Sequence, residues 1–373
     1  MKKDYTNLNV LKIICMFLIV SGHYVAHNNL LNKVNFGTIN YFILQIFRFL
    51  VPVALNTFVV ITGFFMINKN IKSKKIINLI FQTMFYSLTI YIVLSLIMNN
   101  FSVKGLVINM MPINSGQYWF ITVYLSLYII VPFINKVLIK LNKRGFIYLL
   151  EVLTFLLVIN KSIFTKNTFI IPSYFSLTWF VYLYILGAYI KLYGMPNNNI
   201  IISIAIFIIC LLINIFGSYY FKKIFNKELQ HLYDYNFITN VVLTILLFNI
   251  FNSMNCGKEK IKKTVNKMVP LILAVYLISD NRVFRMYMWE NIFKVNEFVN
   301  SKYMLVHLFC TVSIIFSVSM FIEFFRTKIW NIIIKNKRIE KMFNKVDSII
   351  NLENMIVEDT LYIDNERGKI DIR

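Results

Sequence analysis

Acidic side chains are scarce in this sequence: 17 Asp and Glu stand against 39 Lys and Arg among 373 residues. Eight of those acids, from Glu340 to Asp371, crowd into the last 34 residues, so nine serve everything before them and can be inspected one by one. Charge of either sign is thin at 15%, where ordinary soluble domains carry about 25%. With 58% hydrophobic residues, the chain holds more apolar surface than a soluble core can absorb. Cysteine is sparse too. Cys15, Cys210, Cys256 and Cys310 are far apart and mostly within apolar runs, which argues against a paired metal motif and a disulfide framework. No small-x-small cleavage site follows the first apolar run, which therefore reads as a retained span. No internal repeat stands out.

What is present is a series of apolar runs, each close to the ~20 helical residues needed to cross about 30 Å of hydrocarbon. They lie near 8–27, 41–67, 76–98, 118–138, 146–160, 177–193, 200–220, 235–253, 268–290 and 303–325. The fold class is therefore all-α: a polytopic membrane helical bundle of about ten transmembrane helices. The formal net charge of +22 sits largely in short loops between these runs, where it acts as a topology signal and not as a nucleic-acid face. Placing both termini in the cytoplasm puts the Lys69–Lys75, Lys136–Arg144 and Lys258–Lys267 loops inside. Two regions follow, a membrane domain over 1–330 and a charged cytoplasmic tail over 331–373, with an amphipathic helix expected over 337–352.

Ionisable groups within membrane spans are costly and mark function by default. Of the nine acids before the tail, Glu151, Asp280, Glu290 and Glu323 fall in or beside spans, and Glu323 has Arg326 three residues on as a surface partner. His23 lies in the outer half of the first span, where an imidazole can exchange a proton near neutral pH. Lys12 is eleven residues earlier, three turns plus about 20°, so both share a face with about 16 Å of rise between them. The alternative for His23 is a hydrogen-bonded structural role. Arg48 enters the second span at comparable depth and either stabilises an oxyanion or snorkels to headgroups. The ninth run breaks at Asp280, Asn281 and Arg282, which implies a helix ending at mid-depth or a polar cavity. Asp280 either orients His23 or pairs with Arg282 or Arg285. Gly63 reads as a close helix contact. Trp119 reads as an interfacial anchor or, with Tyr118, as a glycan platform. His27 shares the His23 helix, but no third ligand is evident in the sequence, so no metal is expected.

These residues resemble the integral-membrane acyltransferase family 3, notably its O-acetyltransferase-like members acting on bacterial surface polysaccharides. Lys12 and His23 meet the spacing of the family's arginine and histidine, with Asn9 where an aspartate is common. Arg48, Asn56, Phe58, Thr62, Gly63 and Phe64 are similar to the second element. Trp119, Phe120, Tyr128 and Pro132 are similar to the third, and Tyr276, Leu277, Ile278 and Ser279 to the fourth. Lys12 replaces arginine, and Ser279 replaces a frequent histidine.

The resemblance implies a multi-pass protein of the cell membrane. It would move an acyl group, in all expectation acetyl, from cytoplasmic acetyl-CoA to a hydroxyl of a surface or lipid-linked polysaccharide, with glycan-assembly proteins as possible partners. His23, Arg48 and Asp280 would be catalytic, and Lys12, Lys72, Lys74 and Lys75 would hold the donor. Asn56, Tyr118, Trp119, Asn281 and Arg282 would contact the acceptor. The rival class is a non-enzymatic exporter, flippase or polymerase of surface glycan, which would also need many spans and a polar interior.

Overall fold

The structure is a computed structural model that describes residues 5–163, 175–195, 199–254, 258–334 and 337–350. Described elements are all helical, without a strand. The principal ones are α1 (Thr6–His27), α2 (Ile39–Met66), α3 (Ser73–Ile97), α4 (Trp119–Lys140) and α5 (Lys143–Thr154, prolonged by a π turn to Ile163). They continue with α6 (Leu177–Tyr193), α7 (Ile200–Phe225), α8 (Ile238–Ser253), α9 (Glu259–Met268), α10 (Leu273–Ser279), α11 (Met304–Ile334) and α12 (Lys337–Ile350). Eight helical stretches among the described residues are long and apolar enough to cross a membrane, so the chain is a multi-pass membrane protein. The other two of the ten apolar runs depart from a simple span. Helix α6 has only 17 residues, and the run near 268–290 is broken into short pieces.

Helix α2 is the axis of the bundle, with buried residues around its whole circumference from Tyr41 to Met66. Two glycines set its closest neighbour. A Cβ on Gly63 would overlap the backbone carbonyl of Tyr184 on α6, and a Cβ on Gly187 of α6 would overlap the carbonyl of Val60 on α2. Each backbone thus fills the space that the other's missing side chain leaves, the small-residue packing that membrane helices use. Pro52 and Pro132 stand inside α2 and α4, as membrane helices tolerate when neighbours re-satisfy the freed backbone.

The broken run places the site. Pro270 sits in a 3-10 turn before α10, and α10 then extends for only seven residues, five of them buried, about 10 Å of rise and too little to cross the bilayer. Asn281 ends it. Its Oδ1 accepts hydrogen bonds from the N–H groups of Val283 and Phe284 at 3.0 and 3.1 Å, a local alternative to helix continuation. Its Nδ2 donates to the Tyr118 hydroxyl at 2.7 Å, which in turn donates to the Leu277 carbonyl at 2.9 Å. Irregular backbone at this depth is sustained because protein surrounds it. In the tail, α12 coincides with most of the amphipathic segment expected over 337–352; residues 351–373 lie outside the described residues.

Candidate active site

A cavity of about 770 Å³ runs between α1, α2, α4 and α10. At one end it is lined by Lys12, Lys69 and Lys75, and at the other by His23, His27, Arg48, Asp280 and Arg285. Lys12 and His23 both face it, so the shared helical face read from their spacing is the face that lines the cavity. Lys12 and Lys69 lie 4.9 and 5.6 Å from the ring centroid of Phe65, and Lys12 donates to Asn9 Oδ1 at 3.4 Å. Trp119, with Phe175 at 4.5 Å and Tyr235 at 6.1 Å between ring centroids, forms an aromatic wall nearer the histidines.

At the histidine end a serine hydroxyl contacts one nitrogen of His23. The Ser279 hydroxyl donates to the Tyr276 carbonyl at 3.3 Å, so its oxygen is left as acceptor for the group 3.1 Å away, His23 Nδ1. With the hydroxyl proton on that carbonyl, the contact is met by a His23 proton on Nδ1, the tautomer whose Nε2 is the basic nitrogen. No described residue bonds to Nε2. Ser279 therefore orients the imidazole, a role that the sequence did not reveal when Ser279 read only as a lost histidine.

Of the two alternatives for Asp280, its direct contact is with Arg285, and His27 joins the pair. Asp280 Oδ1 lies 3.1 Å from His27 Nε2 and 3.2 Å from Arg285 Nη1, while His23 contacts Ser279. The two imidazoles are 5.0 Å apart between ring centroids. His23, His27 and Asp280 present ligand atoms within 4.8 Å of one another, so Asp280 is the third possible metal ligand that the sequence did not disclose. The Arg285 guanidinium on the same oxygen already forms an ion pair with the carboxylate.

The remaining expected residues divide clearly. Arg48 lines the cavity with its guanidinium 5.0 Å over the Tyr233 ring, and no carboxylate meets it among the described residues. Asn56 is buried outside the cavity, donating to the Tyr235 carbonyl at 2.8 Å and accepting from the Trp179 indole at 3.1 Å. Tyr118 and Asn281 are buried in the hydrogen-bonded brace behind α10. Arg282, Lys72 and Lys74 are exposed and do not line the cavity. Arg285, not Arg282, is the arginine of this turn that reaches the site.

A polytopic helical bundle with a histidine-bearing interior cavity, cationic at its other end, has the parts that an integral-membrane group-transfer enzyme needs. The family model described as an acyltransferase domain matches residues 5–323, which include α1 to α10 and most of α11. The chain belongs to this family, acyltransferase family 3, and is an acyltransferase; the exporter and polymerase alternatives give way to it. No curated protein and no solved structure matches the chain.

Proposed function

We propose that this membrane acyltransferase moves an acetyl or similar acyl group from cytoplasmic acyl-CoA to a hydroxyl of a cell-surface or lipid-linked polysaccharide, at the cell membrane. The observation that carries the reading is His23, held through Nδ1 by Ser279, inside a cavity whose opposite end is lined with lysines. Lys12, Lys69 and Lys75 suit the phosphates of a coenzyme A thioester as point charges. The donor's arm then extends along the cavity toward His23, over the ~16 Å that separates His23 from Lys12 on α1.

His23 Nε2 removes the proton from the acceptor hydroxyl as its oxygen attacks the thioester carbonyl. The carbonyl electrons move onto oxygen, and the unpaired guanidinium of Arg48 stabilises that charge. Collapse breaks the carbon–sulfur bond, and the departing thiolate receives the proton from His23, so the base is restored. Asp280 and Arg285 hold His27 beside the reacting groups and keep the end of the cavity polar. Trp119 supplies a flat apolar face of the kind on which a sugar ring rests.

The test has two parts. Purified wild-type protein supplied with acetyl-CoA should esterify its glycan, and His23→Ala should not; a variant with the wild-type rate would refute the assignment. Mass spectrometry of surface glycan from a deletion strain should show chains of normal length without acyl esters.

A further inference from the structure

Lys69, before α3, and Lys75, in its first turn, both line the cavity. Helix α3 starts at Ser73, and the preceding Lys72 provides no side-chain cap for its first N–H groups. The missing acceptor comes from the far end of the chain. Asp347 on α12 accepts a hydrogen bond from the Ser73 backbone N–H at 2.7 Å, and the Ser73 hydroxyl donates to the Phe343 carbonyl at 3.4 Å. Ser73 and Phe343 are buried against each other's helices, at 3% and 5% exposure, although Lys341, Met342 and Asn344 around Phe343 are exposed. A carboxylate at a helix N-terminus satisfies an orphan donor and the positive end of the helix dipole together. The backbone of Lys75 is tied to the same corner through its N–H to the Lys72 carbonyl at 2.9 Å.

We propose that α12 is a strap over the lysine-lined mouth, and that Asp347 is a positioning residue for the donor. It fixes the start of α3 so that Lys69 and Lys75 face along the cavity, without itself touching the donor. This rests on the acyl-CoA reading above. Charge alone predicts the opposite sign, because a carboxylate beside Lys69, Lys72, Lys74 and Lys75 weakens the attraction for phosphate. A loss of affinity on removing Asp347 therefore reports position and not charge.

The experiment uses the full chain in lipid nanodiscs, with coenzyme A binding measured by calorimetry and amide exchange followed over 69–80. Asp347→Ala should weaken coenzyme A about three- to tenfold, the scale of one lost cap. It should also speed exchange at Ser73 and, in turnover, raise the donor KM with kcat unchanged. Asp347→Asn keeps an acceptor oxygen and should restore wild-type binding and exchange. Equal or tighter binding by Asp347→Ala, or unchanged exchange at Ser73, overturns the strap. Wild-type protein that binds no coenzyme A overturns the donor reading and this extension with it, whereas an intact donor site indifferent to Asp347 removes the extension alone.

Discussion

Two buried carboxylates, Glu323 on α11 and Asp280 after α10, have opposite surroundings. Glu323 receives five hydrogen bonds. Gln82 and Tyr86 of α3 donate at 3.0 and 2.8 Å, Arg326 donates twice at 2.7 and 2.6 Å, and Thr327 donates at 3.0 Å. Asp280 has one oxygen 3.2 Å from Arg285 Nη1 and 3.1 Å from His27 Nε2, and it lines the cavity. A saturated carboxylate away from the cavity ties helices together; one in the cavity wall beside two imidazoles is placed for chemistry. Burial alone does not distinguish these roles, since both are almost fully enclosed.

Substitutions can break this contrast. The largest expected effect is at the cavity: His23→Gln should lower kcat by about 10²- to 10⁴-fold, the usual worth of a general base, with the melting temperature unchanged. Unfolding of that variant at a clearly lower temperature would make His23 a structural residue. Glu323→Ala should do the reverse, destabilising the bundle by about 3–5 kcal/mol because Arg326 is left buried without its partner. Activity per folded molecule should survive, and a denaturation series beside a specific-activity assay reads both quantities. Replacing Glu323 and Arg326 together by leucine should recover much of that loss.

A finer test separates orientation from chemistry. Ser279→Ala removes one hydrogen bond to His23 and should cost about tenfold in kcat, close to 1.4 kcal/mol, with the donor KM unchanged. An unaltered kcat would mean that Ser279 does not select the imidazole tautomer. The smallest effect belongs to Lys12→Ala, which should raise the donor KM about threefold and leave kcat alone, as expected for uniform ground-state binding. Steady-state kinetics at varied acetyl-CoA would detect a fall in kcat, which would place Lys12 nearer the reacting atoms.

Much of this frame is legible in one dimension. Apolar runs locate the spans, and the eleven-residue step from Lys12 to His23 identifies the lining face of α1, because helical period is a local property. Arg48 is visible for the same reason, as a guanidinium where apolar neighbours predominate. The opposing groups are not local. Ser279 lies 256 positions from His23, and nothing in its own neighbourhood indicates that its hydroxyl proton is committed elsewhere. Glu323 and Arg326 show the same limit: their i,i+3 spacing suits a surface pair, yet Tyr86 and Gln82 enclose them from another helix. Asn56, Tyr118 and Asn281 stand out as polar groups within apolar surroundings. Their partners prove to be backbone carbonyls, an indole and one another, which the sequence does not reveal.

The reciprocal glycine contact between α2 and α6 limits how the interior can be reached. Turning either helix by one residue would drive Thr62 or Phe64, or Leu186 or Ala188, into the opposing carbonyl, so this seam behaves as a keyed joint and cannot serve as a sliding door. Traffic into the reaction chamber must pass through its ends or another seam, and the wall bearing Arg48 keeps its register while substrates come and go.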